Sequence, residues 1–339
     1  MTSRMVWVRR GVVGFFLSLL LLAPATAQDR GEPAASPIPV IYDTDLGEDI
    51  DDLWALAFLT HSSELDLKLV SINFGDVERK ARMVAKALSV FGREEVPIAI
   101  GRTNERWTPR YYDWTSDFDL FNYDGAVTDD GVEKMIQTIE ADSTGRLRLL
   151  AVGPMLNVAG VLERRSDLAE RVELVAMSGS IYTGYGGSEA PDAEANVEVA
   201  PDAARHAYAA DWKRFVIAPL DVTGGLHLAG DRYRSIYESD APTPQAIISA
   251  YKVFEPNADF ADVDVTRRSS TLHDAAAVYL AFSEAYLGLE TLSLRVTDDG
   301  YTRVDPENGH TVEAALDWTN ESAFKDLLVK RLTSPPPSH

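Results

Sequence analysis

Residues 41–56 read IYDTDLGEDIDDLWAL and place six acidic residues between a strand pattern and a helix pattern. The strand is predicted at residues 40–42 and the apolar helix at residues 53–59. Like charges about 4 Å apart repel by roughly 1 kcal/mol in water and about 4 kcal/mol at an effective dielectric near 20. A bound hard cation relieves such repulsion, and ligands of open α/β sheets bind beyond the carboxyl ends of strands. The stretch therefore predicts a cation site in the loop after the first strand.

A solvated acidic loop is the alternative interpretation of this stretch. Asp51 and Asp52 would suit the dipole at the start of the predicted helix whether or not they bind an ion. The acids lie between a buried-looking strand and an almost wholly apolar helix, however, so the loop is anchored at both ends. We therefore favour the cation site.

The N-terminus has the pattern of a secretory signal peptide. Three arginines precede the apolar run of residues 11–23, and Ala25-Thr26-Ala27 is a small-residue cleavage site. An apolar run of this length is shorter than the ~20 residues that a spanning helix needs, although an uncleaved anchor is the alternative. We expect a signal peptide at 1–27, a flexible linker at 28–37, a folded domain at 38–333 and a disordered tail at 334–339. The protein is then secreted or periplasmic, with no stable membrane association after cleavage.

Composition and charge narrow the class of protein. The 339 residues include no cysteine, so disulfides are excluded and stability must come from the core and from any bound ion. The net charge is −21, and removal of residues 1–27, which hold three arginines and no acid, would make it −24. Such a surface repels nucleic acid and anionic membranes but does not hinder a small neutral substrate.

Strand and helix patterns alternate along the rest of the chain. This alternation predicts an α/β fold, a single domain with a mostly parallel central sheet flanked by helices. Strand patterns at 292–296, 301–304 and 311–318 predict a small antiparallel C-terminal addition. The aromatic stretch at 102–128 is either a rim or lid of the site or a small core of its own.

Two familiar metal sites were compared with the acidic loop. A calcium EF-hand that began at Asp43 would need glycine at its sixth position and an acid at its twelfth, where this chain has Glu48 and Trp54. A metal phosphatase of the Asp-x-Asp type, with Asp43 as nucleophile, is matched only by the Asp-Thr-Asp sequence. The EF-hand is excluded and the phosphatase stays open as an alternative.

The longer pattern Asp-Thr-Asp-x-Gly…Asp-Asp-x-x-Ala-Leu is more specific, and further motifs follow it in order. They are Val-Gly-Pro-Met-Leu-Asn at 152–157, Met-Ser-Gly at 177–179, Ala-Glu-Ala-Asn at 193–196, Pro-Leu-Asp-Val-Thr at 219–223 and Leu-His-Asp at 272–274. Together they resemble the inosine-uridine preferring nucleoside hydrolase family over about residues 38–332. The resemblance implies the fold of that family and a calcium ion as cofactor.

The resemblance also implies the ligands of the ion. They are the carboxylates of Asp45, Asp52 and Asp274 and the main-chain oxygen of Val152. The first loop is two residues longer than the commonest family form, so Asp49 could also join the metal shell.

The same resemblance implies catalytic residues. Asp51 would be the general base that deprotonates water, with Asp49 as the alternative, and His273 would lie near the leaving base and donate a proton.

The residues implied for substrate binding lie at other strand ends. Glu194 and Asn196 would hold ribose hydroxyls. Asp76 stands where the family commonly has asparagine and would lie close to the sugar or the ion. Asn157 is a further candidate for substrate binding, with a purely structural cap as its alternative.

The predicted function is hydrolysis of the N-glycosidic bond of nucleosides to free base and ribose. A ribose- or nucleoside-binding protein with weak or no turnover is the alternative within the same fold. Ser188 and Gly224 depart from the family pattern, so base preference is left open. A homo-oligomer, dimer or tetramer, is the only protein partner expected. The histidines other than His273 are predicted to be surface or structural residues.

Overall fold

Ten strands form one sheet whose centre is the first strand of the chain. The computed structural model describes residues 1–2, 36–105, 107–258 and 263–337. Most of the predicted signal peptide and linker lies outside these residues. The strands are β1 (Ile38–Thr44), β2 (Leu65–Ile72), β3 (Ile98–Ile100), β4 (Val127–Thr128), β5 (Arg148–Ala151), β6 (Glu173–Met177), β7 (Arg214–Ala218), β8 (Leu287–Val296), β9 (Thr302–Val304) and β10 (His310–Trp318).

The order across the sheet is β4-β3-β2-β1-β5-β6-β7-β10-β8-β9. All neighbouring pairs from β4 to β10 are parallel, whereas the pairs β10–β8 and β8–β9 are antiparallel. The predicted fold class is therefore confirmed, including the antiparallel addition at the C-terminal end.

Helices cover both faces of the sheet. They are α1 (Asp51–Thr60), α2 (Val77–Val90), α3 (Gly131–Ala141), α4 (Leu156–Arg165), α5 (Ala195–Glu198), α6 (Pro201–Tyr208), α7 (Leu220–Thr223), α8 (Gly230–Tyr237), α9 (Pro242–Phe254), α10 (His273–Leu280) and α11 (Glu321–Thr333). None of the described helices is long and apolar enough to cross a bilayer.

Strand β1 contributes to two hydrophobic cores because successive side chains of a strand point to opposite faces. Val40 and Tyr42 belong to the core on one face, and Ile41 belongs to the core on the other. A strand covered on both faces reads as a continuous apolar run, as this one does. Burial of β1 fixes the position of the acidic loop that follows it.

Helix α1 is buried along its whole length. It packs against α10, and the ring of Phe58 meets Phe324 of α11 edge-on at 6.1 Å between centroids. This packing explains why the helix pattern has no polar stripe. It also brings the first turn of α1 beside the first turn of α10.

The aromatic stretch at 102–128 joins the main core and does not form a small core of its own, and it contributes Arg110 to the lining of a cavity described below. Tyr111 and Trp114 are buried and contribute to the core, whereas Trp107 and Phe121 are exposed. Two short 3-10 helices, Tyr112–Thr115 and Leu120–Asn122, are the regular structure that the stretch shows before β4.

Candidate active site

A cavity of about 600 Å³ opens at the carboxyl ends of the parallel strands. Acidic residues from the loop after β1 and from the first turns of α1 and α10 form one side of its lining. These acids are Asp45, Glu48, Asp49, Asp51, Asp52 and Asp274. The cavity therefore lies where the sequence predicted a cation site.

Three carboxylates converge closely in this cavity. Asp51 and Asp52 begin α1, and Asp274 lies in the first turn of α10. One carboxylate oxygen from each lies within 4.8 Å of the other two. The backbone N–H of Asp274 donates to Asp51 Oδ2 at 3.3 Å, and the hydroxyl of Thr44 donates to Asp52 Oδ1.

Burial and mutual repulsion strongly affect these three groups. All three are at most 4% exposed. Burial first, and then the charges of the neighbouring acids, raise the pKa of Asp51, Asp52 and Asp274 well above the ordinary value. Buried carboxylates that meet in this way form a donor set that a hard divalent cation fits.

Asp45 and Asp49 line the same cavity outside this close group. Burial raises the pKa of Asp45 to about 7, although the charge of Lys80 opposes the shift. Asp49 Oδ1 accepts the backbone N–H of Ile50 at 2.6 Å, and burial raises the pKa of Asp49 to about 6. The structure thus brings two of the predicted metal ligands, Asp52 and Asp274, together with Asp51, the predicted base. Metal binding by Asp45 and Asp49 stays a prediction.

Gly153, in the loop after β5, makes room for Asp45. A Cβ atom on Gly153 would lie 2.7 Å from Asp45 Oδ1 and 2.8 Å from Asp45 N. Any side chain at this position would therefore displace the carboxylate. This close approach explains the glycine of the Val-Gly-Pro motif.

Glu194 and Asn196 lie on another part of the cavity wall. Glu194 Oε2 accepts the N–H of Gly179 at 2.9 Å, and its Oε1 accepts the N–H of Asn196 at 2.8 Å, which caps α5. Burial raises the pKa of Glu194 to about 7. Asn196 Nδ2 donates to the main-chain oxygen of Val152 at 2.7 Å and to that of Met177 at 3.2 Å. The carbonyl of Val152, a predicted metal ligand, therefore faces this wall of the cavity.

His273 is the first residue of α10 and is half-buried at the cavity. Its Nδ1 lies 3.2 Å from Thr223 Oγ1, and the ring of Tyr185 meets it edge-on at 5.8 Å between centroids. Burial lowers the pKa of His273 to about 4, so the imidazole is neutral at neutral pH.

Two predicted substrate-binding residues lie away from the cavity wall. Asp76 caps α2 by accepting the N–H of Arg79 at 3.1 Å. Asn157 is fully buried; its Nδ2 donates to Asp43 Oδ1 at 2.8 Å and its Oδ1 accepts the N–H of Arg102 at 2.7 Å. Neither residue is part of the cavity lining, so substrate contact by Asp76 and Asn157 stays a prediction that the structure does not support. For Asn157 the structural alternative fits.

Asp43 is also enclosed by the protein. Its second oxygen accepts from Asn73 Nδ2 at 3.0 Å, and it is fully buried behind the cavity wall. Burial raises the pKa of Asp43 to about 7. A carboxylate held between two amides and closed to solvent is not placed to attack a phosphate, so the structure does not favour the phosphatase alternative.

Several residues of the lining were not predicted from the sequence. They are Glu48, Arg110, Met177, Tyr185, Gly186, Ala195, Gly224, His227, Arg268, Ser269, Ser270 and Thr271. His227, expected to be a surface or structural residue, is partly exposed and lies at the cavity. The one sequence signal for Tyr185 was its place in a glycine-rich loop after a strand, where ligands commonly bind.

Asp221 fixes the loop that carries Tyr185. Its carboxylate accepts the backbone N–H groups of Ile181 at 2.9 Å, Tyr182 at 2.9 Å and Thr183 at 3.2 Å. The Pro-Leu-Asp-Val-Thr motif therefore serves the cavity indirectly, by holding one of its walls.

The sequence of the chain is similar to a known family of proteins. A sequence model described as inosine-uridine preferring nucleoside hydrolase matches residues 40–326. The pyrimidine-specific ribonucleoside hydrolase RihA of Photobacterium profundum is 24% identical over 324 residues, which cover 87% of this chain and 99% of that protein.

Other relatives match a shorter stretch. The non-specific ribonucleoside hydrolase RihC of Salmonella agona is 30% identical over 201 residues, which cover 57% of this chain and 64% of that protein. An uncharacterized protein of Schizosaccharomyces pombe is 27% identical over 204 residues and is likewise covered over 64% of its length. These matches span less than two thirds of the relatives concerned.

Solved structures share the fold. A plant nucleoside hydrolase has a TM-score of 0.73 at 21% identity, with 88% of this chain and 100% of that chain covered. A purine-preferring ribonucleoside hydrolase from Gardnerella vaginalis has a TM-score of 0.71 at 18% identity, with 87% and 98% covered.

Proposed function

Because the chain belongs to the inosine-uridine preferring nucleoside hydrolase family, we propose that it cleaves the N-glycosidic bond of ribonucleosides to free base and ribose. The observation that carries the proposal is the group of three buried carboxylates at the end of the sheet, in one cavity with Glu194 and Asn196. N-glycosidic cleavage passes through an oxocarbenium-like state, as glycoside hydrolysis does. Carboxylates around the sugar favour the positive charge that grows there.

Calcium is the proposed cofactor. The donor set fits it, because three converging carboxylates and a main-chain carbonyl are oxygen ligands and calcium takes about 6–8 of these. Asp51, Asp52, Asp274 and the carbonyl of Val152 would hold the ion. When bound, it supplies positive charge that keeps these acids ionised and lowers the pKa of an adjacent water.

Asp45 is the proposed general base. The family resemblance gave this role to Asp51, but Asp51 lies in the close group and its oxygens are then taken by the ion. Asp45 lies outside that group, on the wall of the same cavity. It would take the proton of the attacking water as the water oxygen bonds to the anomeric carbon and the bond to the base nitrogen breaks.

The other proposed roles follow from hydrogen-bond capacity. Each carboxylate oxygen of Glu194 keeps a lone pair beyond the N–H that it accepts, and Asn196 keeps Oδ1, so both can bind ribose hydroxyls. The hydroxyl of Thr223 would donate to His273 Nδ1, which leaves the imidazole proton on Nε2. A neutral His273 would then donate a hydrogen bond to the departing base.

Export is a further part of the proposal. The charged, apolar and small-residue segments of residues 1–27 support a cleaved signal peptide and a secreted or periplasmic enzyme. N-terminal sequencing of the protein recovered from outside the cytoplasm would then start at Gln28. A chain recovered there with residues 1–27 still attached would contradict cleavage.

A panel of purine and pyrimidine ribonucleosides, assayed for reducing sugar, tests the activity. We expect release of ribose with calcium present, and loss of release after chelation that calcium restores. Calorimetric binding of nucleosides without any release of ribose would instead support the binding-protein alternative and reject the hydrolase.

A further inference from the structure

A buried lysine lies directly behind the acidic loop. Lys80, in the first turns of α2, is completely buried. Its Nζ donates to the main-chain oxygen of Asp45 at 2.7 Å and forms an ion pair with Glu48 Oε1 at 2.9 Å. A buried ammonium group is costly unless it is paired and hydrogen-bonded, so these contacts are needed for it to remain charged there.

The neighbours of Lys80 are arranged closely around it. Its Nζ lies 5.7 Å from the centre of the Phe74 ring, a favourable cation–π distance. Phe74 has a φ of 56°, an uncommon conformation for a bulky residue. At the next position, a Cβ on Gly75 would lie 2.6 Å from Glu48 Oε1. The backbone after β2 is thus shaped to leave space for the ion pair.

The same ion pair reaches the rim of the cavity. Trp107 Nε1 donates to Glu48 Oε2 at 2.5 Å, and its ring meets Phe74 edge-on at 5.1 Å. On the other side of the acidic loop, the N–H of Arg110 donates to the main-chain oxygen of Gly47 at 2.8 Å. The acidic loop is therefore held from two sides. Lys80 contacts it at Asp45 and Glu48, and Arg110 contacts it at Gly47.

We propose that Lys80 is a positioning residue, whose ammonium group fixes the loop of residues 45–50 so that Asp45 faces the cavity. This role deepens the proposed function, because Asp45 is the proposed base. The close group of carboxylates lies on α1 and α10, where the charge of Lys80 also favours the ionised form of Asp52. The ammonium group of Lys80 contacts the loop and the Phe74 ring rather than those two helices.

The test compares Lys80→Met with Lys86→Met in the full-length protein. Methionine keeps most of the side-chain length and removes the charge. Lys86 is the matched control, because it lies on the same helix and also has an ion pair, with Asp117, but on a side away from the acidic loop. Hydrogen exchange followed by mass spectrometry reports on the loop whether or not the protein is active.

We expect amide exchange in residues 45–50 to rise by about tenfold or more in Lys80→Met, since charge-assisted hydrogen bonds are lost, and to stay unchanged in Lys86→Met. With nucleoside turnover established, kcat should fall by about 100-fold, as expected for a displaced catalytic group. Calcium affinity, measured by calorimetry, should not fall, because removal of a positive charge that acts on Asp52 does not disfavour a cation. A merely structural role would lower kcat and calcium affinity together.

Unchanged exchange in Lys80→Met overturns the proposal, and so does a parallel loss of kcat and calcium affinity. If Lys80→Met does not fold, Glu48→Gln decides, because it removes the partner's charge and keeps its shape. Amide exchange in residues 45–50 must then rise in Glu48→Gln. An unchanged exchange rate rejects the positioning role of Lys80. Absence of nucleoside cleavage by the wild type rejects the proposed function alone, because the exchange result does not depend on it.

Discussion

Asp45 and Asp51 face one cavity but have different neighbours. Asp51 receives the backbone N–H of Asp274 and lies within the group of three carboxylates, whereas Asp45 lies beside Gly153 outside that group. The difference predicts separable effects of two isosteric substitutions. Asp45→Asn should keep calcium binding and lower kcat by about 10²–10⁴, the usual worth of a general base. Asp51→Asn should weaken calcium binding.

Calorimetry with calcium and steady-state kinetics at saturating calcium measure the two effects. Asp49→Asn serves as a control, because Asp49 lines the cavity and is already hydrogen-bonded to Ile50. If Asp51→Asn kept full calcium affinity and lost turnover, the base would be Asp51, as the family resemblance implied.

Tyr185 connects the two ends of the cavity. Its hydroxyl accepts the N–H of Ala195 at 2.8 Å, next to the proposed ribose-binding residues, and its ring packs on His273. We expect Tyr185→Ala to raise KM by about tenfold, since it removes an aromatic wall worth roughly 1 kcal/mol or more. Tyr185→Phe keeps the ring and should change KM less.

The matched control for Tyr185 is Tyr182→Ala. Tyr182 is in the same loop, is 53% exposed and is not part of the cavity lining. Kinetics with one purine and one pyrimidine nucleoside give the KM values. Equal KM changes for Tyr182→Ala and Tyr185→Ala would mean that the loop as a whole, and not the Tyr185 ring, affects binding.

Single residues also show what the sequence could not reveal. The motifs located Asp51, Asp52, Asp274 and Glu194 at strand and helix ends, and these residues do meet in one cavity. Asn157 also lies at the start of a helix that follows a strand, yet its amide donates to Asp43, which is 114 positions away. The direction of a side chain depends on such distant partners, so spacing alone did not show that Asn157 points into the protein.

At the scale of elements, the loop after β6 depends on α7. Asp221 of α7 accepts three backbone N–H groups of that loop. Asp221→Ala should lower the free energy of unfolding by about 1.5–3 kcal/mol, as expected for hydrogen bonds to a charged group, and should also raise KM because the Tyr185 loop loosens. Thermal unfolding and steady-state kinetics measure the two changes.

Asp305→Ala is the control for this prediction. Asp305 also accepts backbone N–H groups, from Glu307 and Asn308, but in an exposed turn that is not part of the cavity lining. It should lower stability without changing KM. An unchanged KM in Asp221→Ala would mean that the Tyr185 loop is held independently of Asp221.

The elements themselves were largely predictable from local patterns. The pattern of residues 131–141 predicts a helix, and α3 has these bounds, because glycine follows a capping Asp130 and its apolar face is regular. The pattern of residues 271–286 predicts one longer helix, but α10 ends at Leu280. Strand β8 begins at Leu287, five residues before the strand predicted at 292–296. Pairing with β10 extends β8 toward Leu287. A local sequence pattern does not show which distant segment a strand will pair with.

The order of the strands in the sheet could not be predicted from local sequence patterns either. β10 lies between β7 and β8, parallel to the first and antiparallel to the second. The alternation of strands and helices predicted the parallel part, since crossover connections impose it. The insertion of the last strand depends on which edge is left open once the other strands have paired.

At the scale of the whole molecule, the buried acids make stability depend on pH and calcium together. The folded protein raises the pKa of Asp43, Asp45 and Glu194 to about 7 and of Asp49 to about 6, above the ~4 of unfolded chains. Between about pH 4 and pH 7 the folded state therefore binds more protons than the unfolded state. Without calcium, stability should fall as pH rises through this window and should not recover above it, because the pKa values of Asp51, Asp52 and Asp274 are raised as well.

Calcium should offset this loss, because its proposed ligands Asp51, Asp52 and Asp274 bind it in their deprotonated form. Free calcium at 100 times its Kd would add about 2.7 kcal/mol at pH 8. We expect thermal unfolding to show a larger calcium-induced rise in Tm at pH 8 than at pH 5. An equal rise at both pH values would contradict ion binding by the raised-pKa acids.

The 223 positions between Asp51 and Asp274 affect how the protein matures. A chain that is still being synthesised contains the first acid pair, Asp51 and Asp52, long before the third member, Asp274. Such a chain has an acidic segment with no counterpart and cannot retain the cation. Binding of the proposed calcium ion would therefore be completed late in folding, and a truncated product that lacks α10 would leave that segment unneutralised.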